Sequence, residues 1–182
     1  MTENILNTPA GRFVLEHSLA YEAEHGHKPG VYIKTFGCQQ NEADSERLAG
    51  MAVVMGYEFT DTPENAGLVI FNTCAVREHA ELKALSLTGQ IKHIKTANPE
   101  LIVCVCGCMV AQEHRLNDIK NRYPYVDFLF GTGTPEKLPE YLAEAIKTGK
   151  RSFYPDPSAM PVIPEGLPVR RESRFRAWVS IM

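Results

Sequence analysis

The stretch Leu101–Cys106, "LIVCVC", is apolar throughout and indicates a strand buried on both faces. The other strand candidates are "VYIKTF" (31–36), "YEF" (57–59), "GLVIFN" (67–72) and "YVDFLFG" (125–131). Helices are predicted between and after them, over 43–55, 76–94, 112–121 and 135–147. Because apolar strands that alternate with helices form a parallel sheet covered on both faces, we expect an α/β domain. Its sheet should be doubly wound, mainly parallel and flavodoxin-like.

The composition divides the chain into three parts. Residues 1–29 are expected to form an N-terminal helical extension, and residues 30–150 the α/β domain. Residues 151–182 are predicted to be a proline-rich linker followed by the first strand of an absent domain, because "FRAWVSIM" (175–182) is a strand candidate without a partner. We therefore interpret the sequence as the N-terminal portion of a longer protein.

The overall composition restricts the possible functions. Of the 182 residues, 44% are hydrophobic and 23% are charged, which is ordinary for a soluble globular protein. The net charge of −3 provides no basic surface for extensive phosphate contacts. Neither a membrane-spanning run nor a signal peptide is evident, so we expect a cytoplasmic monomer that does not bind membranes. In that reducing compartment, five cysteines indicate metal ligands, reactive thiols or core residues rather than disulfides.

Three of the cysteines occupy equivalent places in the predicted fold. Cys38, Cys74 and Cys108 each follow a predicted strand and precede a helix, at separations of 36 and 34 residues. The carboxyl ends of parallel strands share one edge of the sheet, where ligands bind, so these thiols are able to converge there. Three convergent thiolates suit an iron–sulfur cluster or, alternatively, zinc, and adjacent helix N-termini would stabilise their charge. Simple small core residues remain the competing interpretation, which we favour for Cys104 and Cys106.

Other thiol chemistries fit the sequence less well. The position six residues after each edge cysteine is not arginine, which a thiol phosphatase requires, and no C-x-x-C pair is present. Cysteine–histidine nucleophiles are conceivable for Cys74 with His79 and for Cys108 with His114, although neither pair has an evident orienting group. "GTGTPEK" (131–137) lacks the end of a phosphate loop and is interpreted as a turn that caps a helix. Near the N-terminus, the histidines at 17, 25 and 27 indicate a solvated helix end.

Three motifs resemble a known family when they are taken together. "TFGCQQNEADSE" (35–46), "FNTCAVRE" (71–78) and "VCGCMVAQE" (105–113) are similar, in order and spacing, to the N-terminal domain of the methylthiotransferases. Those radical S-adenosylmethionine enzymes insert sulfur and then a methyl group. The resemblance covers residues 30–150, and the terminal "LPVRRESRFRAWVSIM" is similar to the family's lead into its central domain.

The resemblance implies a cofactor and its ligands. Cys38, Cys74 and Cys108 would hold an auxiliary 4Fe–4S cluster, whose remaining iron would carry the sulfur to be delivered. Three further motif residues are implied to shape the surroundings of the cluster, without an assigned role: Asn41, Asn72 and Arg77.

The resemblance also implies a reaction. "GCQQN" and "AWVSIM" are most similar to the type that converts isopentenyl-adenosine at tRNA position 37 to its 2-methylthio derivative. The chain has no C-x-x-x-C-x-x-C motif, so a second 4Fe–4S cluster and S-adenosylmethionine would be bound by an absent radical domain. That domain would generate the radical that takes hydrogen from C2 of the adenine, and tRNA would be bound by the full-length enzyme. This chain alone is expected to be inactive.

Two alternatives remain open at this point. The chain could belong to a methylthiotransferase for threonylcarbamoyl-adenosine in tRNA or for a ribosomal protein, because substrate choice would reside in the absent domains. It could also be a non-catalytic metal-binding or scaffolding module of the same α/β class.

Overall fold

A computed structural model describes residues 3–76, 78–155, 166–171, 175 and 177–178, and in it the apolar runs form one sheet. The strands are β1 (Gly30–Thr35), β2 (Glu58–Phe59), β3 (Leu68–Thr73), β4 (Ile102–Gly107), β5 (Phe128–Phe130) and β6 (Ser152–Tyr154). Their order across the sheet is β2–β1–β3–β4–β5–β6, and every neighbouring pair is parallel. The predicted doubly wound, flavodoxin-like α/β class is confirmed.

The predicted helices are present with shifted ends. They are α1 (Glu3–Leu6), α2 (Pro9–His25), α3 (Gln39–Val54), α4 (Glu78–Ala97), α5 (Glu113–Arg122) and α6 (Leu138–Thr148). Helix α3 begins four residues before its predicted start, because Cys38 takes the N-cap position and its backbone N–H donates to Asn41 Oδ1 (3.2 Å). "GTGTPEK" forms a turn and a short 3-10 helix that leads into α6, as predicted.

Two hydrophobic cores lie on the two faces of the sheet. Side chains alternate along β3, so that Leu68 and Ile70 enter the core beneath α1, α2, α3 and α6, whereas Val69 and Phe71 enter the core beneath α4 and α5. Each fully buried side chain of this size contributes roughly 1.5–3 kcal/mol. The N-terminal helix α2 belongs to this packing, since Val14 is fully buried and α2 packs against α6. Helices α1 and α2 therefore form part of the domain's own helical layer.

The end of the sheet corrects one predicted boundary. β6 lies within the segment that was predicted to be linker, so placing the linker's start at residue 151 is wrong. The strand is held by Ser152 and Tyr154, whose hydroxyls donate to the two carboxylate oxygens of Glu144 in α6. Because α6 covers the face opposite to α4 and α5, the β5–α6–β6 crossover has the opposite hand to the two crossovers before it. Most of "FRAWVSIM" lies outside the described residues.

A later segment, 166–171, crosses the outside of α3. The backbone of Arg170 donates to the carbonyl of Glu46 (2.9 Å), and its guanidinium lies 4.1 Å from the ring centroid of Phe59. The helix is crossed at Gly50, where a side chain would overlap the backbone of Pro168. Among the residues that the structure describes, no helix has the length and apolarity needed to cross a membrane.

Candidate metal centre

The three predicted ligands leave three adjacent strands at the carboxyl edge of the sheet. Cys74 and Cys108 follow Thr73 and Gly107 directly, and those two residues are paired in register between β3 and β4. Cys38 lies three residues beyond the end of β1, which pairs with β3 on the other side. The chain leaves β1 toward β2 and leaves β3 in the opposite direction toward β4, so the edge includes the topological switch point. Ligands bind at such a point in open α/β sheets.

The three thiols differ in exposure but lie within electrostatic reach of one another. Cys38 is exposed, Cys108 is half-buried, and Cys74 has only 1% of its surface exposed. Burial raises the pKa of the Cys108 thiol, and the neighbouring Cys74 and Cys38 raise this pKa further. Three thiolates at this edge would therefore repel one another, which favours binding a positively charged metal group among them.

Glycines bring the strand exits close together. Gly107, at φ +100°, precedes Cys108, and a Cβ there would overlap the carbonyl oxygen of Thr73. Gly37, at φ +150°, precedes Cys38, and a Cβ there would overlap the side chain of Cys74. Only a residue without a side chain allows both the left-handed backbone and this close approach. The repeated "GC" pair in the motifs thus places each cysteine against the neighbouring strand.

Two buried amides connect β3 to the start of α3. Asn41 Nδ2 donates to Asn72 Oδ1 and to the carbonyl of Thr73, both at 3.0 Å. Asn72 Nδ2 donates in return to the carbonyl of Asn41 (2.9 Å) and to Ser45 Oγ (3.0 Å). All four amide protons therefore have acceptors, as buried polar groups require. Thr35 extends the network by donating to Ser45 Oγ (2.8 Å).

The thiols of Cys38 and Cys74 each have a local partner as well. Cys38 Sγ donates to Asn41 Oδ1 (3.2 Å), and Cys38 itself caps the N-terminus of α3. Cys74 Sγ accepts a hydrogen bond from the backbone N–H of Val76 (3.4 Å). These contacts hold the two sulfur atoms beside the start of α3 and the exit of β3.

The donor set fits an iron–sulfur cluster in type. Among the described residues, no three or more His, Cys, Asp or Glu side chains are already gathered around a single ion position. Cysteine thiolates are the donors that both zinc and iron–sulfur clusters take, and a cluster binds each thiolate to a different iron.

The remaining sequence-based candidates lie elsewhere. Cys104 and Cys106 are 0% and 2% exposed and pack in the core, which confirms that they are strand-interior residues. The ring of His25 stacks on Tyr21 at 4.0 Å between centroids, in the exposed helix end that was predicted. Arg77 lies outside the described residues. Ser45 and Thr35 were not predicted from the sequence. The sequence offered only a polar residue on the buried side of α3 for Ser45 and of β1 for Thr35.

Comparison with known proteins identifies the relatives of this chain. A sequence model of the family described as "Uncharacterized protein family UPF0004" matches residues 30–131. The fold thus defines the chain as an α/β domain with a thiol-bearing edge. The sequence match shows that it belongs to the UPF0004 family.

Its relatives carry a more specific description. The tRNA-2-methylthio-N(6)-dimethylallyladenosine synthase of Clostridium tetani is 42% identical over 182 residues, which cover 100% of this chain and 37% of the relative. The proteins of the same name from Clostridium botulinum and Thermoanaerobacter sp. are 46% and 43% identical. Those alignments cover 83% and 88% of this chain, and 33% and 34% of the relatives. The chain therefore spans about a third of the length of these relatives, and the resemblance to the methylthiotransferases is confirmed.

Proposed function

We propose that this chain is the N-terminal, cluster-binding part of a tRNA methylthiotransferase that converts N6-isopentenyladenosine at position 37 to its 2-methylthio derivative. The relatives named for this reaction align with 83–100% of the chain in the three cases above. The observation that carries the proposal is the position of Cys38, Cys74 and Cys108 at the exits of three adjacent parallel strands.

Those three cysteines would be the protein ligands of a 4Fe–4S cluster. When bound, the cluster would supply an iron without a protein ligand, at which the sulfur to be transferred can be held. Cys74 would be the buried, anchoring ligand, and Cys38 would be the exposed ligand. Cys104 and Cys106 are held in the core and cannot compete as ligands without breaking β4.

The rest of the reaction would depend on parts that the chain does not include. The sequence has no C-x-x-x-C-x-x-C motif, so S-adenosylmethionine and a second cluster would be bound by a radical domain. Because the net charge is −3, recognition of the tRNA backbone would also fall mainly to other domains. We place the enzyme in the cytoplasm, as a monomer.

Anaerobic reconstitution of the chain with ferrous iron and sulfide tests this proposal. We expect the chain to bind about four irons and four sulfides. Cys74→Ala should abolish binding, because it removes the anchoring ligand. Cys104→Ala is the matched control: it removes a buried thiol of β4 that does not face the edge, and should retain full iron content.

The identity of the metal decides the outcome. Stable binding of one zinc, without iron, would contradict the proposal and would support a structural metal module. Equal iron content in Cys74→Ala and in the unmodified chain would also contradict it, because the iron would then be bound somewhere else.

A further inference from the structure

The buried pair Asn41 and Asn72 touches the strand exits that carry all three predicted ligands. Both side chains are almost completely buried, at 1% and 2% exposure. We propose that this pair is the positioning element of the metal centre, which sets the spacing of the three cysteines. The inference rests on the proposed cluster-binding function and adds two residues that are not ligands.

The first contact is to the Cys38 corner. Asn41 Oδ1 accepts the backbone N–H of Cys38 as well as its thiol proton, each at 3.2 Å. When Cys38 becomes a thiolate ligand, the second of these bonds is lost because its proton has gone. The bond to the backbone remains, so the corner is held in both states.

The second contact is to the exit of β3. The two Nδ2 protons of Asn41 are donated to the carbonyl of Thr73, directly before Cys74, and to Asn72. A single side chain therefore ties the backbone of Thr73, directly before one ligand, to the backbone of Cys38.

The third contact is to the Gly107 corner. Asn72 Oδ1 lies 2.8 Å from the place where a Cβ of Gly107 would be, so the amide packs against the residue before Cys108. Asn72 itself is fixed by donation to the Asn41 carbonyl and to Ser45. The pair thus contacts a residue at, or next to, each predicted ligand.

Neutral polar side chains suit this task physically. A buried amide whose partner is removed leaves donors or acceptors unpaired, so the geometry of the pair is strongly enforced. A carboxylate at either position would add negative charge beside three thiolates and raise the repulsion among them. Amides provide both donors and acceptors at no cost in charge.

The experiment compares three single variants, and the double variant Asn41→Leu/Asn72→Leu, with the unmodified chain. Asn41→Leu and Asn72→Leu preserve size and neutrality but remove the hydrogen bonds. Asp127→Asn changes one side chain at the opposite edge of the sheet, where Asp127 pairs with Lys95, and is the matched control. Folding is checked first by circular dichroism at the assay temperature. Bound iron is then counted, and the rate of iron loss to an excess of a ferrous chelator is measured.

We expect Asn41→Leu to lose iron at least about tenfold faster than the unmodified chain, as is typical when partners of metal ligands are removed. Asn72→Leu should have a smaller effect, because the bonds from Asn41 to Cys38 and Thr73 remain. The double variant should resemble Asn41→Leu alone, since the two residues form one connection. Asp127→Asn should retain iron like the unmodified chain, even if it melts at a lower temperature.

Three results would overturn the inference. Iron retention in both leucine variants equal to that of the unmodified chain overturns the positioning role alone. Unfolding of both variants, while Asp127→Asn stays folded, also overturns it, because the pair would then be a requirement of the fold. Absence of iron from the unmodified chain overturns the proposed function, and with it any role toward a cluster.

Discussion

The two edges of the same sheet are built from different kinds of interaction. At the carboxyl edge, the strand exits are joined by neutral amides and by glycines in left-handed conformations. At the amino edge, Lys95 forms an ion pair with Asp127 (2.8 Å), and each partner also bonds the backbone. Lys95 donates to the carbonyl of Leu101, and Asp127 accepts from the N–H of Val103 (2.7 Å).

The amino edge contributes to the stability of the sheet, whereas the carboxyl edge carries the thiols. The two charged side chains of the ion pair at the amino edge bond to backbone groups at the start of β4, and they therefore stabilise this strand. A cavity of about 560 Å³ opens there, but its lining includes both members of this pair, which are already engaged. At the carboxyl edge, neutral amides hold the backbone around the three thiols without an ion pair of this kind. Metal binding and stability should therefore change independently when the two edges are altered.

The largest effect should come from Cys38→Ala at the carboxyl edge. Iron content after reconstitution should fall from about four to near zero, because an exposed ligand is removed. The free energy of unfolding should change by about 1 kcal/mol or less, since the thiol is exposed and makes one weak hydrogen bond. Iron analysis and urea unfolding of the metal-free chain measure the two quantities. Retention of the full iron content would remove Cys38 from the ligand set.

The next effect should come from Gly107→Ala, which forces a side chain into the β3 exit. We expect a loss of at least about 3 kcal/mol in the free energy of unfolding, from the left-handed backbone and the overlap with Thr73 together. Gly149→Ala at the amino edge is the matched control. Gly149 also has a left-handed backbone (φ +60°), but the space around it is open.

The control Gly149→Ala should therefore lower the free energy of unfolding by only about 1 kcal/mol, which is the contribution of the left-handed backbone alone. Urea unfolding of both variants gives the difference. Equal losses would mean that the close approach at Gly107 is unimportant for stability.

A moderate effect is expected from Asp127→Asn. The substitution removes the charge that pairs with Lys95 and weakens the bond to Val103, so the free energy of unfolding should fall by about 2 kcal/mol. Thermal unfolding of the metal-free chain checks this value. A drop in stability without a drop in bound iron would sharpen the contrast with Cys38→Ala, whereas a drop in both would show that the edges are coupled.

The smallest effect on stability should come from Gly50→Ala, in the helix that runs from the carboxyl edge toward the amino edge. Alanine favours the helix by about 1 kcal/mol over glycine, but its methyl group would displace the crossing segment 166–171 at Pro168. The two effects should largely cancel. Limited trypsin cleavage after Arg170 or Arg171 should nevertheless become faster, because the bond from Arg170 to Glu46 is released. Unchanged cleavage would show that the segment is held in another way.

The sequence predicted the central strands well, because β3 and β4 are apolar runs and β1 contains the shorter apolar run Val31–Ile33. It failed at β6, where only Ser152–Tyr154 joins the sheet. A three-residue strand next to prolines has no periodicity to detect, and its pairing depends on Glu144 in α6. β5 (Phe128–Phe130) is shorter than its predicted run over 125–131, although the backbone of Asp127, just before it, still bonds to Val103 and Ser152.

The candidate site could be predicted in part. The cysteines were predictable because strand exits on a parallel sheet share one edge, whatever the details of packing. The exchange of bonds between Asn41 and Asn72 was not, because it depends on how α3 lies against β3. The signal was present but ambiguous: an asparagine at the end of the apolar run "LVIFN" must find partners, and the sequence does not say which.

The exposures of the five sulfur atoms set the order in which the folded chain reacts. A thiol reagent arriving from solvent meets Cys38 first and Cys108 second, and it reaches Cys74 only when the edge opens. Cys104 and Cys106 react only on unfolding of the sheet, because both lie in the core and burial raises the pKa of the Cys104 thiol well above its ordinary value. Time-resolved alkylation with mass spectrometry would therefore give two separate rates in one sample. The rate at Cys74 would report local opening of the edge, and the rate at Cys104 and Cys106 would report global unfolding.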